Sequence, residues 1–166
     1  MNKQKVSERV VSVRHVTIEV QRNFEDAKAA LENAAPALNL QFLVHLKNGD
    51  IPNAQRALEH GAVLSIFSSR DHGGLLELAG QHRKAIQYEI GNPLTASLMT
   101  RHILSAALYA PLRVLLREGA DGQVAFEYDQ PSTLFGQFEN EEVTKVGLGL
   151  DEALRKLIQI VAEESE

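Results

Sequence analysis

The residues best suited to chemistry in this sequence lie at turns that follow predicted strands. Ile90-Gly91-Asn92-Pro93 ends one strand and begins a helix, with Thr95 in the first turn of that helix. Free backbone N–H groups and the positive end of the helix dipole can hold an anion there, and Thr95 adds a hydroxyl donor. The alternative is structural: Asn92 caps the helix and Pro93 is its first residue. Gly91, Asn92 and Thr95 are therefore candidate ligand-binding residues.

A carboxylate and an imidazole are neighbours in the predicted turn Asp71-His72-Gly73-Gly74. A carboxylate can orient a histidine for acid–base catalysis or for metal ligation. His72, with Asp71, is therefore a candidate catalytic group. The alternative is a plain turn in which Asp71 acts as a cap, since the side chains of sequence neighbours seldom face each other.

Arg113 is a charged residue inside the apolar strand predicted over 112–116. By alternation it shares a sheet face with Leu115, so we expect it to be partly buried. A buried arginine must be paired. The partner is either an internal carboxylate, such as Glu89 or Glu127, or an acidic ligand, which makes Arg113 a further ligand-binding candidate.

Three other side chains are weaker candidates. Met99 and His102 share the apolar face of a predicted helix, and a methionine and a histidine on one face can approach a haem or a metal ion. The alternative is core packing, with the histidine satisfied by a backbone carbonyl group. Tyr128 ends a predicted strand and could line the mouth of a pocket, although turn chemistry in residues 128–131 accounts for it without one. We expect no resident metal or cofactor.

The composition excludes several classes of function. Of the 166 residues 44% are hydrophobic and 23% charged, and 17 basic against 22 acidic side chains give a net charge of −5. The absence of Cys removes disulfides, thiolate metal sites and cysteine nucleophiles and is typical of a reducing compartment, so we expect a cytoplasmic protein. No stretch approaches the ~20 apolar residues of a membrane span. The negative charge and low aromatic content argue against nucleic acid as a partner.

The hydrophobic periodicity indicates the strands and helices of a single domain. It predicts strands over 10–20, 62–67, 85–90, 112–118 and 123–128, and helices over 24–35, 52–60, 93–106 and from about 151. A hairpin is indicated by Asp121-Gly122 between the last two strands. Because the strands come in a run flanked by helices, we expect an α+β fold of two layers, with helices covering one face of a mostly antiparallel sheet. A doubly wound α/β fold is the alternative.

Three segments are harder to interpret. Residues 36–60 contain apolar side chains that fit either a helix or a buried strand ahead of the predicted 52–60 helix. Gly147 and Gly149 fall just before the last predicted helix, where we expect them to loosen the chain. Residues 163–166 form an acidic end that we expect to be solvated and frayed.

The order of several short motifs resembles the bacterial and archaeal family known as domain of unknown function 302. The motifs are residues 61–66, Asp71-His72-Gly73-Gly74, 90–93, 110–114, 122–124 and 128–131. The resemblance is best over 61–131 and extends to the helices at 24–34 and 151–162. It implies a two-layer domain with an antiparallel sheet, often paired as a homodimer, and no established activity. The sequence departs from the pattern at 36–60, which resembles an insertion, and at 94–99, which is poorer in Gly and Thr.

Three functions are compatible with these residues. The first is a homodimeric module that binds a small molecule or anion, or has a regulatory role, with its ligand near Gly91-Asn92-Pro93, His72 and Arg113. The second is an enzyme that uses His72, with Asp71, as its acid–base group. The third is a protein-interaction module that uses residues 36–60. None of the three requires a membrane or a nucleic acid.

Overall fold

The computed structural model describes residues 4–163, and the end residues 164–166 of the expected frayed tail lie outside them. Five strands form one sheet in the order β1-β5-β4-β3-β2, and every neighbouring pair is antiparallel. The strands are β1 (His15–Val20), β2 (Ser65–Asp71), β3 (Ala85–Gly91), β4 (Leu112–Glu118) and β5 (Val124–Asp129). The expected α+β class is confirmed, and the doubly wound alternative is wrong.

Seven helices accompany the sheet in the described residues. They are α1 (Phe24–Ala34), α2 (Gln41–Lys47), α3 (Ile51–Glu59), α4 (His72–Leu75), α5 (Pro93–Thr100), α6 (Pro131–Gly136) and α7 (Glu141–Ala162). Short 3-10 helices follow α4 and α5, at Leu76–Ala79 and Leu104–Tyr109. No helix in this part of the chain is both long enough and apolar enough to span a bilayer.

The core lies between the sheet and the helices on one of its faces. Alternate residues of the strands, such as Tyr88, Val114 and Phe126, are fully buried there, together with Leu31 of α1 and Leu154 of α7. Because side chains of a strand alternate between faces, the intervening strand residues form the opposite face, which is mostly polar. The expected layer arrangement is therefore confirmed.

Two strands differ from their predicted bounds. The first begins at His15 rather than at residue 10, because its pairing with β5 ends at Asp129, after which one backbone hydrogen bond joins Gln130 to Arg14 before α6 starts at Pro131. The second runs over 65–71 rather than 62–67. Residues 68–71 were not predicted as part of this strand because they lack hydrophobic alternation. Polar side-chain contacts of Ser68 and Arg70 with β3 hold them in the sheet instead.

Helix α5 is shorter than the predicted 93–106 helix. The Thr100 hydroxyl donates to the Ala96 carbonyl oxygen at 3.1 Å, and Ile103 is extended (φ −132°, ψ 101°). β-Branched residues such as Ile103 tolerate that conformation well. The chain leaves the helix at this point and still buries Ala106 from the following 3-10 helix, which explains why the apolar pattern continued beyond the helix.

Helix α7 is longer than predicted and begins at Glu141, ten residues before position 151. Asn140 caps it by accepting a hydrogen bond from the Val143 amide at 3.1 Å. Gly147 and Gly149 lie inside the helix, so the expectation that they loosen the chain before it is wrong. Gly147 allows α6 to pack closely against α7 and is not needed for conformational freedom of the backbone. A Cβ atom added at this position would lie 3.1 Å from the Ser132 Cα atom.

Residues 36–60 form the helical pair α2 and α3. The predicted second helix is confirmed over 51–59, with Asp50 as its cap and Pro52 in its first turn. Helix α2 buries Phe42 but leaves apolar side chains at about half exposure on its outer side. The helices and the loop beside them expose Leu40, Leu43, Val44, Leu46 and Ile51.

Candidate functional site

The turn at Asn92 is held by the side chain of its own cap. The Asn92 Oδ1 atom accepts hydrogen bonds from the amides of Leu94 at 2.9 Å and Thr95 at 3.4 Å. Its Nδ2 group donates to the Ala62 carbonyl oxygen at 3.3 Å. The capping interpretation is therefore confirmed, and two amide donors that an anion would use at this turn already have a partner.

The three residues predicted at this turn nevertheless come together in one cleft. Gly91, Asn92 and Thr95 line a space of about 290 Å³ between β3, α5, α6 and the start of β4. We call it the inner cleft. Most of its wall is apolar, and its large apolar side chains include Phe67, Ile90, Met99, Pro111, Leu112 and Phe135.

A second space of about 460 Å³ lies between α5 and α7, and we call it the outer cleft. Four charged or titratable side chains line it: Arg101, His102, Glu142 and Lys145. The rest of the lining is Thr95, Gly149 and six apolar residues, namely Val63, Leu64, Leu98, Val146, Leu150 and Ala153. A concave apolar surface with a few polar groups at its edge is the usual form of a small-molecule site.

The outer cleft is more basic than the protein as a whole. Two permanent cations, Arg101 and Lys145, and the imidazole of His102 face one carboxylate, Glu142, whereas the chain carries a net charge of −5. None of the ion pairs among residues 4–163 uses any of the three basic residues. The local field therefore favours an anion in this cleft.

The two clefts adjoin along α5. Thr95 and Leu150 line both of them, so the side chains of these two residues form the shared wall. The position of α5 follows from the Asn92 cap at its start and from its packing between α3 and α7. The residues predicted at the turn thus mark one end of a larger, two-part site.

Sequence reasoning missed three charged residues of the outer cleft: Arg101, just after α5, and Glu142 and Lys145 on α7. The residues that line the outer cleft from α7 are Glu142, Lys145, Val146, Gly149, Leu150 and Ala153. Their spacing of i, i+3, i+4, i+7, i+8 and i+11 is that of one helical face. The sequence contains this pattern, but residues 142–150 precede the predicted helix start at 151 and so were not assigned to a helix.

His72 and Asp71 do not form an acid–base pair. The Asp71 carboxylate accepts a hydrogen bond of 2.8 Å from the Gly74 amide and so caps α4, which confirms the alternative interpretation of this turn. His72 is exposed and lines neither the inner nor the outer cleft. A further space of about 300 Å³ is lined by its neighbours Asp71, Gly73 and Gly74 but not by His72, so the structure does not bring the imidazole into a cleft.

Arg113 is exposed, so the expectation that it is partly buried is wrong. It does share a face with Leu115, but that face points away from the helices. Its register neighbour Glu89 accepts hydrogen bonds from the Ser68 hydroxyl at 2.7 Å and from Arg70 at 3.0 Å. These two bonds, and to a smaller extent the charges of Arg70 and Arg113, lower the pKa of Glu89.

Glu127, the other carboxylate considered for Arg113, is engaged elsewhere on the same face. Its Oε1 atom accepts a hydrogen bond of 2.6 Å from Arg117 Nε. His15 contacts it with Nε2 at 3.3 Å and contacts Asp129 with Nδ1 at 3.1 Å. This cluster links β1, β5 and β4 and lines neither the inner nor the outer cleft.

The remaining candidates are in separate places. Met99 is buried in the core and lines the inner cleft, whereas His102 lies beyond the end of α5 and lines the outer cleft. The two therefore do not share one helical face as predicted. Among residues 4–163, no three histidine or carboxylate side chains are grouped to hold a metal ion. Tyr128 is buried, and burial raises its pKa, as does the nearby charge of Asp151.

The chain matches a known protein family. The family model described as "Domain of unknown function DUF302" matches residues 51–163, more than half of the chain. The chain belongs to this family. The resemblance expected from its motifs is therefore confirmed. The match to the DUF302 domain includes both clefts and begins at Ile51, so α2 precedes it.

A solved structure has the same fold. It is the crystal structure of an uncharacterized conserved DUF302 protein from Bacillus stearothermophilus, with a TM-score of 0.66 and 13% sequence identity. The similarity covers 89% of this chain and 97% of that one. At this identity the likeness concerns the fold alone. No curated protein matches the chain.

Proposed function

We propose that this DUF302 protein binds a small organic anion in the outer cleft. The observation that supports the proposal most strongly is the position of Arg101, His102 and Lys145 around an apolar floor in an otherwise acidic protein. Arg101, His102 and Lys145 are exposed at the edge of this floor, so water screens part of their attraction for an anion and the apolar surface must add to the binding. Such a site selects a ligand that is both charged and apolar.

The cations of the cleft are available to a ligand. Arg101 Nε donates to the Ser97 carbonyl oxygen at 3.2 Å, which leaves the two terminal nitrogens of its guanidinium group for another acceptor. Lys145 and His102 take part in no ion pair among the described residues. A carboxylate is the matching group, because an arginine binds its two oxygens in parallel and a lysine adds a point charge.

The apolar floor argues for an organic anion rather than inorganic phosphate. Val63 is 75% exposed and Leu98 40% exposed beside the buried Leu64 and Leu150, so a hydrocarbon group laid on this floor removes apolar surface from water. Phosphate cannot use this surface. The role that follows is binding or regulation, and, from the Cys-free composition, we propose the cytoplasm as its location.

A thermal shift experiment on the full chain tests this proposal. The compounds are sodium octanoate, 1-octanol and sodium phosphate at equal concentrations. Octanoate has both a negative charge and a hydrocarbon chain, 1-octanol has only the chain, and phosphate has only the charge. We expect octanoate to raise the melting temperature most, since a ligand that binds only the folded state stabilises it. The double variant Arg101→Gln/Lys145→Gln should lose this gain. Equal shifts with octanoate and 1-octanol, or an undiminished gain in the double variant, would contradict the proposal.

A second candidate function, self-association, is favoured by the exposed apolar side of α2. Leu40, Leu43, Val44, Leu46 and Ile51 are each about half exposed, and such neighbouring apolar residues mark interaction surfaces. Residues 36–60 contain two basic residues, Lys47 and Arg56, and two acidic residues, Asp50 and Glu59. This segment is neutral in a chain of net charge −5, so two copies can meet here without repulsion. We propose that a second copy covers it.

Sedimentation equilibrium distinguishes this dimer from a monomer. The test variant is Leu43→Glu and the matched control is Leu108→Glu, which places the same charge at an exposed leucine outside α2. We expect the first variant to be monomeric at concentrations where the control and the wild type are dimeric. A wild-type monomer at every concentration, or a dimer that tolerates Leu43→Glu, would refute self-association through α2.

A further inference from the structure

We infer that the organic anion carries a straight hydrocarbon chain, which passes Thr95 and Leu150 and occupies the inner cleft while the carboxylate stays at Arg101 and Lys145. This inference rests on the proposed anion site and adds the class of ligand, a medium-chain alkyl carboxylate. It follows from the chemistry of the inner cleft, from the shared wall and from the positions of the charges.

Most polar side chains of the inner cleft are already bonded within the protein. The Ser97 hydroxyl donates to the Leu94 carbonyl oxygen at 2.7 Å, and the Thr100 hydroxyl donates to the Ala96 carbonyl oxygen at 3.1 Å. Asn92 caps α5 with its amide oxygen and donates to the Ala62 carbonyl oxygen with its Nδ2 group, whereas the Thr95 hydroxyl lies at the border with the outer cleft. A ligand group in this cleft therefore meets mostly apolar surface, and a charged group there would be desolvated without compensation.

The charges fix the direction of the ligand. Among residues 4–163, no Lys, Arg, His, Asp or Glu side chain lines the inner cleft, whereas the outer cleft has four such residues. A ligand that spans both spaces must keep its carboxylate in the outer cleft and its hydrocarbon in the inner one. Because Thr95 and Leu150 lie between the two spaces, a thin unbranched chain can pass them with less displacement of side chains than a branched or ring-shaped group.

The size of the inner cleft sets an upper limit to the chain. A volume of about 290 Å³ is at the lower end of the range of small-molecule sites. Affinity should therefore rise with each methylene group added and then level off once the cleft is filled. Each methylene group transferred from water contributes about 0.8 kcal/mol, which corresponds to roughly a fourfold gain in affinity.

Met99 provides a direct reporter of occupancy. The sequence contains two methionines, Met1 and Met99, and Met99 is buried and lines the inner cleft. Labelling the full chain with methyl-¹³C methionine therefore gives two signals, one of them from this cleft. Titration with acetate, hexanoate, octanoate and decanoate should shift the Met99 signal with the three longer chains and leave it unchanged with acetate.

An intermolecular nuclear Overhauser effect between the decanoate methylene protons and the Met99 methyl group distinguishes contact from an indirect change. The variant Ala96→Phe fills the inner cleft from α5 and should weaken decanoate binding at least tenfold while leaving butanoate binding unchanged. Ala29→Phe, at an exposed position of α1, is the matched control.

The outcomes separate this inference from the proposed function. If affinity depends on Arg101 and Lys145 but decanoate gives no Overhauser effect at Met99, the chain lies elsewhere and only the inference fails. Affinity that does not rise from butanoate to octanoate also overturns the inference alone. If no carboxylate binds at any length, the proposed function fails and the inference fails with it.

Discussion

Gly147 of α7 packs directly against the backbone of Ser132 at the start of α6. A Cβ atom at position 147 would lie 3.1 Å from the Ser132 Cα atom and 3.3 Å from the Phe135 Cβ atom. Gly149, two residues on in the same helix, has no atom within 4 Å of the corresponding position. Two glycines that look equivalent in the sequence thus have different structural roles.

This difference predicts opposite tolerance to the same substitution. Gly147→Val should lower the free energy of unfolding by about 1–3 kcal/mol, because the added atoms force α6 and α7 apart. Gly149→Val should change it by about 0.5 kcal/mol or less, since valine is a slightly better helix former than glycine. Urea denaturation of both variants measures this, and equal losses at the two positions would show that the close packing is unimportant.

The His15 imidazole lies between two carboxylates of β5. The hydrogen bond to Asp129, together with the one to Glu127, outweighs the desolvation of the ring and raises the pKa of His15 above its ordinary value near 6.5. A group whose pKa is raised by folding stabilises the folded state fully below its unfolded pKa. That contribution is lost as pH rises through the folded pKa.

We therefore expect His15→Gln to lower the melting temperature more at pH 5.5 than at pH 8.5. The ring is about half exposed, so solvent screening keeps the effect small. His72→Gln is the control, since His72 is exposed and outside this cluster. If the difference in melting temperature between His15→Gln and the wild type does not change with pH, the two carboxylates do not hold a protonated ring.

Asp151 of α7 caps a neighbouring helix rather than its own. Its carboxylate accepts hydrogen bonds from the Ser132 amide at 2.8 Å and from Gln130 Nε2 at 2.7 Å. Asp151→Ala leaves the partly buried amide at the start of α6 without an acceptor and should cost about 1–3 kcal/mol of stability. Asp151→Asn retains one acceptor oxygen and should recover part of the loss. Chemical denaturation of both variants decides this, and an alanine variant as stable as the wild type would rule out the cap.

The fold was predictable where one physical pattern dominated. The alternation of Val16, Ile18 and Val20, and of Ile86, Tyr88 and Ile90, indicated strands correctly because one face of the sheet is buried and the other is not. The start of α7 was missed because a glycine inside a helix resembles a helix breaker. Only the tertiary contact with Ser132 shows why Gly147 belongs there.

The site was predictable at one end only. Local capping chemistry at Asn92-Pro93 located the start of α5, and with it part of the inner cleft. The outer cleft arises from the packing of α5 against α7, which places Arg101 and Lys145 in one cleft although they are far apart in sequence. Local sequence patterns do not predict which two helices pack against each other.

Isothermal titration calorimetry with octanoate tests the proposed anion site most directly. The proteins are the wild type, Lys145→Gln in the outer cleft, and Lys47→Gln, which removes the same charge from exposed α2. Because Lys145 is exposed, losing its contact costs about 0.5–1 kcal/mol, so Lys145→Gln should bind octanoate roughly two- to fivefold more weakly than the wild type. Lys47→Gln should bind it as the wild type does. Equal affinity in all three proteins, or no binding heat in the wild type, would contradict the account.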